Sequence, residues 1–248
     1  MSLTSRNYHP GELCLLHRLA QGPATGKQLV MEVTVPDVRP DLTAGLLMNC
    51  LQGLLLAGDV TGPGADGTYE ISYLLGLEIQ AMQRRPLAAM RQAAEELAEE
   101  LRPLTTRLEI GGSIRRQRPD CGDIKLCAVV DDIRARDMLA GGADVVLKCG
   151  DKYTQVVRQT SAGPVRIDLF QTTMAQEWGM LFFIRTGSAD FVRRALAYWK
   201  GISDGGECRG NLLWRGDGVQ VQTFEEDDVF VALRIKPVPP EKRMPKPQ

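Results

Sequence analysis

The sequence contains no run of 18 or more apolar residues, so no membrane-spanning helix of ordinary length is expected. Its opening stretch, MSLTSRNYHPGELC, has no basic segment followed by an apolar one, and no signal peptide is expected. None of the six cysteines forms a C-x-x-C pair: Cys14, Cys50, Cys121, Cys127, Cys149 and Cys208 are scattered. That argues against a disulfide framework or a zinc site, and predicts free thiols, mostly buried, in a reducing cytoplasm. There is no internal repeat and almost no net charge, −1 over 248 residues. With 44% apolar and 25% charged residues, the chain has an ordinary globular balance and material for a core. The charge is uneven, however. Residues 1–80 hold four basic and eight acidic side chains, a local charge of −4, which leaves +3 for the remainder.

Leu13, Leu16 and Leu19 recur at helical spacing within residues 11–21. Gly22-Pro23 breaks that helix, and Thr25 can cap a second one. A turn over residues 35–41 precedes a third helix, expected from about Leu42 to Ala57 and stopped by Gly58. Two short strands around a Gly-rich tip follow. Three helices and then a hairpin resemble a winged helix-turn-helix domain over about residues 10–73. In that geometry the third helix enters the DNA major groove with Arg or Lys. Here no Lys or Arg lies between Leu42 and Val60, and the hairpin tip carries Asp66. Phosphate neutralisation supplies most non-specific DNA affinity. An acidic domain of this kind points instead to a protein contact or a structural role.

Residues 74–86 read as a junction ending at Pro86. The next stretch, to Pro103, is a strong helix whose Glu95, Glu96, Glu99 and Glu100 read as a solvated face. A β-rich region follows: TRLEIGG, DIKLCAVV, ADVVLKCG, YTQVVRQT and PVRIDLFQT as strands, with DDIRARDMLA as a short helix. The pattern then returns to helix from Met174, with a small hairpin around Gly216-Asp217-Gly218 and an acidic-capped short helix near Glu225.

Chemistry concentrates in GGSIRRQRPDCGDIKLCAVV, residues 111–130. Phosphoryl transfer to a hydroxyl needs divalent cations that hold the triphosphate and activate the attacking oxygen. Magnesium favours carboxylates. Residues i and i+2 of a strand face the same side, so Asp-x-Asp at a strand start aims two carboxylates at one point. A Gly-Ser turn offers backbone N–H groups and a hydroxyl to phosphate oxygens, and nearby arginines neutralise them.

The motifs present are Gly112-Ser113, Arg115-Arg116, Gly122-Asp123, Arg166-Ile167-Asp168, and Thr186-Gly187-Ser188 followed by Phe191, Arg193 and Arg194. The ending, QTFEEDDVFVALRIKPVPPEKR, adds an acidic helix and a Pro-Pro-Glu-x-Arg stretch. In this order the motifs resemble the family X DNA polymerases, whose polymerase beta-like nucleotidyltransferase palm and thumb they span from about residue 87 to 243. With the winged-helix resemblance of the first part, it implies an α+β architecture in three parts: a winged-helix-like domain over 1–80, a palm over 87–178 and a thumb over 179–248. It implies Asp123 and Asp168 as magnesium ligands and a nucleoside triphosphate held at Gly112, Ser113, Arg115, Arg116, Gly122, Arg166, Thr186, Gly187 and Ser188. Nucleic acid would meet Arg185, Arg193 and Arg194. The basic residues Arg102, Arg107 and Arg118 near the turn and Lys200 beyond it fit a phosphate cleft or a mixed solvated surface.

The departures carry equal weight. Lys125 stands where the family's second carboxylate bridges two metal ions. An ammonium coordinates no cation and repels one, by roughly 4 kcal/mol at about 4 Å and an effective dielectric near 20. Ile184-Arg185 replaces an aromatic pair, Val192 stands in for a polar group, and the family's lyase and finger regions are missing. Three functions follow. The preferred one is a catalytically impaired or inactive scaffold that binds a nucleotide, a nucleic acid or a protein, the last through the acidic first domain. In it Lys125 pairs with Asp123, Asp168 or both. The second is an active nucleotidyltransferase using magnesium. The third is a winged-helix transcription regulator.

Overall fold

The computed structural model describes residues 7–33 and 43–244, and the chain divides into two units, Met1–Gln83 and Arg84–Gln248. In the first, α1 (Pro10–Leu19) starts where proline costs no hydrogen bond. His9 and Glu12 close a reciprocal cap: His9 Nδ1 accepts from the Gly11 amide at 3.1 Å, and Glu12 Oε2 accepts from the His9 amide at 2.9 Å. After β1 (Ala24–Thr25), α2 (Gly26–Val33) is preceded by Thr25, whose hydroxyl accepts from the Gln28 amide at 3.3 Å. The turn expected at 35–41 and the helix start expected at Leu42 lie outside the described residues. α3 (Ala44–Ala57) is capped by Thr43 and ends at Gly58, whose φ of +75° suits glycine. β2 (Val60–Thr61) and β3 (Thr68–Ile71) form the hairpin, and β1 adds to β3, giving an antiparallel order β1-β3-β2.

The expected junction at 74–86 is corrected: residues Tyr73–Ala81 form a fourth helix, α4. The helix forms because Leu75 and Ile79, four apart on one face, enter the core of the first unit with Leu15, Leu47 and Leu54. Gly76 is tolerated where a Cβ would lie 3.3 Å from Ile71.

In the second unit, β4 (Arg85–Pro86) leads into α5 (Leu87–Leu101), then β5 (Arg107–Ile110) and α6 (Gly112–Arg115). β6 (Asp120–Cys121) pairs with β4. There follow β7 (Ile124–Val129), α7 (Arg134–Gly141), β8 (Val145–Cys149), β9 (Tyr153–Thr160) and β10 (Gly163–Thr172). The five-stranded sheet has the order β5-β7-β10-β9-β8, with β7 and β10 parallel and the other pairs antiparallel. β7 is buried at four of its six positions, as a strand covered on both faces requires. Met90, Leu97 and Leu101 of α5 pack onto Leu126, Ile167 and Leu169.

A second cluster begins beyond the sheet. It gathers Phe183, Trp199, Leu213 and Phe230 from α8 (Trp178–Thr186), α9 (Ala189–Ile202), β12 (Leu212–Trp214) and α10 (Glu226–Ala232). β11 (Glu207–Arg209) and β13 (Gln220–Val221) flank β12. The sequence pattern shows only the β12–β13 hairpin. β11 is three residues long and too short to alternate visibly. The chain is α+β. Among the described residues no helix is long and apolar enough to cross a membrane. All six cysteines are free; Cys50, Cys121 and Cys127 are buried, while Cys149 is exposed.

Candidate functional site

Parallel pairing of β7 with β10 sets Asp168 beside Lys125 in register. Period-two alternation turns Asp123, two residues earlier, toward the same side. The Lys125 ammonium lies between the two acids. Its Nζ donates to Asp123 Oδ2 at 2.5 Å and to Asp168 Oδ2 at 2.7 Å. Asp168 is held again from the neighbouring strand. Its Oδ1 accepts from Tyr153 Oη at 3.0 Å and from Gln155 Nε2 at 2.8 Å. Arg166 Nη2 reaches Asp123 Oδ2 at 3.2 Å. The Asp168 side chain is 5% exposed and the Lys125 side chain 25%.

Burial alone would lower the Lys125 pKa, but the charges of Asp123 and Asp168, with their hydrogen bonds, raise it above the ordinary lysine value. Burial alone would raise Asp168; the Lys125 charge and the bonds from Lys125, Gln155 and Tyr153 hold it below the carboxylate range. Burial, followed by the negative charge of Asp168, pushes the Tyr153 phenol well up. Gly112 roofs the lysine. Its φ is +65°, and a Cβ there would meet Lys125 Cδ at 3.1 Å.

This donor set does not fit magnesium. The carboxylate oxygens that would face a cation already accept from an ammonium, a guanidinium, a phenol and an amide. The point where an ion would bridge Asp123 and Asp168 is taken by Nζ. Among the described residues no group of three or more His, Cys, Asp or Glu side chains could hold a metal ion.

Around this centre the expected phosphate residues separate into two sets. Arg116 Nη1 donates to the Thr186 carbonyl at 2.5 Å, tying the Gly-Ser turn to the Thr-Gly-Ser turn, while its Nε is buried without a partner among the described residues. Burial lowers the Arg116 pKa. The Ser113 hydroxyl is buried beneath the same turn. Gly187 is constrained by packing: a Cβ would lie 2.9 Å from Val192. Ser188 caps α9 through the Phe191 amide at 3.2 Å. Gly122 lies beside the Arg84 side chain.

Arg115 faces elsewhere. Its guanidinium forms a two-point pair with Glu226 at 2.8 and 2.9 Å, donates to Thr186 Oγ1 at 2.7 Å, and stacks 3.8 Å from the Phe182 ring centroid. Its donors are committed to protein groups. Arg185 lies 3.8 Å from the Phe170 ring centroid, and its buried Nε has no partner among the described residues. The Arg193 side chain is 78% exposed, and Arg194 pairs with Asp190.

Two neighbours of the site, Tyr153 and Gln155, lay beyond the sequence motifs, while Glu226 and Arg243 fall in the acidic helix and the Pro-Pro-Glu-x-Arg stretch without a pairing being read from them. Tyr153 and Gln155 complete the shell of Asp168, and their i, i+2 spacing on a strand of otherwise apolar alternation was the available signal. Glu226 and Arg243 form a part-buried triad with Arg115. Arg243, 2% exposed, donates to Glu226 at 2.5 and 3.1 Å and to the Val238 carbonyl at 2.8 Å. No protein-family model matches this chain, and no curated protein does either.

Proposed function

We propose that this chain is a scaffold of polymerase beta-like nucleotidyltransferase ancestry, resembling the palm and thumb of the family X DNA polymerases, that binds the phosphates of a nucleotide or nucleic acid without two-metal phosphoryl transfer. One observation carries the reading. Lys125 Nζ sits 2.5 and 2.7 Å from the two carboxylates that would otherwise share magnesium. The motifs around it, Gly112-Ser113, Arg116 and Thr186-Gly187-Ser188, support a phosphate-facing cleft, and the Arg116–Thr186 bond joins two of them. The reaction class of the family requires bound divalent cations at the transferring phosphate, and here an ammonium holds that place.

Incubation of the full chain with primer-template, nucleoside triphosphates and magnesium or manganese is expected to give no extension. Robust incorporation by the unaltered protein would sink the scaffold reading. It would favour the magnesium-dependent enzyme with Asp123 and Asp168 as ligands.

For the first unit we propose a protein contact rather than DNA reading. α3 exposes Met48 and Leu56 and carries no cation. Any affinity of the full chain for duplex DNA is expected to be unchanged in Asn49→Ala/Gln52→Ala, two exposed α3 positions. Loss of binding in a gel-shift series would return the third helix to the groove.

A further inference from the structure

Two carboxylates at the centre are surrounded by more positive charge than they neutralise. Lys125 and Arg166 touch them, and Arg116 and Arg185 stand close enough that Asp123 and Asp168, respectively, act on their charges. The Nε groups of Arg116, Arg166 and Arg185 are all buried with no hydrogen-bond partner among the described residues. Unsatisfied buried donors are costly. The positive charge of these arginines is therefore only partly matched by protein acceptors. Lys125 and Arg166 keep 25% and 35% of their side-chain surfaces exposed, so the centre is open to a ligand.

We infer that this cluster binds a polyphosphate chain as the free anion, stripped of metal, so that magnesium weakens binding instead of enabling it. The inference rests on the phosphate-binding scaffold reading. A metal-bearing polyphosphate brings its cation toward carboxylates, but Asp123 Oδ2 and both Asp168 oxygens already accept from Lys125, Arg166, Tyr153 and Gln155. The incoming cation would also face the Lys125 ammonium. A free polyphosphate has neither conflict. Its full charge meets a centre with an excess of cations, of which Lys125 and Arg166 keep surface that a ligand can reach.

The test is calorimetric titration of the full chain with inorganic tripolyphosphate at matched ionic strength, once with chelator and once with saturating magnesium. Binding in chelator is expected to be at least about tenfold tighter than in magnesium. The same inversion is expected with a nucleoside triphosphate. A tighter nucleotide assigns recognition beyond the phosphates, and an equal one assigns the phosphates alone; both support the inference. Lys125→Gln should weaken binding in chelator by about tenfold. Arg134→Ala, an exposed arginine paired with Asp132 beyond the far end of β7, should not.

Binding that requires magnesium, binding indifferent to it, equal loss in both variants, or no binding would each overturn the inference. The comparison on unaltered protein needs no variant to fold. A chain that neither binds tripolyphosphate nor extends a primer overturns this inference alone. One that binds only with magnesium and extends a primer overturns the scaffold reading as well.

Discussion

Lys125→Met is expected to destabilise the second unit by about 3 kcal/mol, the lower part of the range for removing one partner of a buried ion pair. The loss arises because two nearly buried carboxylates, 16% and 5% exposed, would face one another without the cation between them. Arg166 remains beside Asp123, which keeps the effect from the top of the range. Urea unfolding measures it, with the midpoint moving and the slope unchanged. Adding Asp168→Asn to Lys125→Met is expected to recover much of the loss, because the repulsion then has no second charge. If the double variant is as unstable as the single one, charge between the acids is not what Lys125 balances.

The second large effect belongs to Glu226. Its carboxylate is shared by Arg115 and Arg243, and Arg243 is almost wholly buried over the Phe230 ring, 5.1 Å from the centroid. Glu226→Gln would leave two arginines without a counter-charge and is expected to cost about 3–5 kcal/mol. Burial alone would raise the Glu226 pKa, but the hydrogen bonds and charges of Arg243 and Arg115 hold it below the carboxylate range. Its stabilising contribution is therefore present above the ordinary carboxylate pKa and is lost as pH falls through the depressed value. Thermal unfolding followed down the acid range should show a steeper decline for the unaltered protein than for Glu226→Gln. Parallel acid limbs would remove Glu226 as a source of that dependence.

What the sequence disclosed about the site was local. Lys125 lies in β7 and Asp123 immediately before it at i, i+2, a spacing that puts both side chains on one side. Glycine at the turn above them is legible for the same reason. Tyr153 and Gln155 were not legible as partners of Asp168, because their role depends on the register that sets Gln155 opposite Asp168 across β9 and β10. No local pattern carries a register. Arg115 shows the same limit. Beside Ser113 and Arg116 it reads as a phosphate ligand, yet its partner lies 111 residues further on. In the fold, α1 to α3 and the main strands follow their caps and periodicities. α4 did not: its stretch reads as a junction until the core that receives Leu75 and Ile79 is known.

The acidic start of α10 has a consequence in time. Glu225 holds Arg107 across 118 residues at 2.6 and 2.7 Å, and Glu226 holds Arg115 across 111. At synthesis rates of about 5–20 residues per second, both arginines wait roughly 6–24 s for their acids to emerge from the ribosome. During that interval β5 and α6 exist without the charges that later clasp them. These two clasps therefore close only once α10 has been made, whatever the earlier elements have already formed.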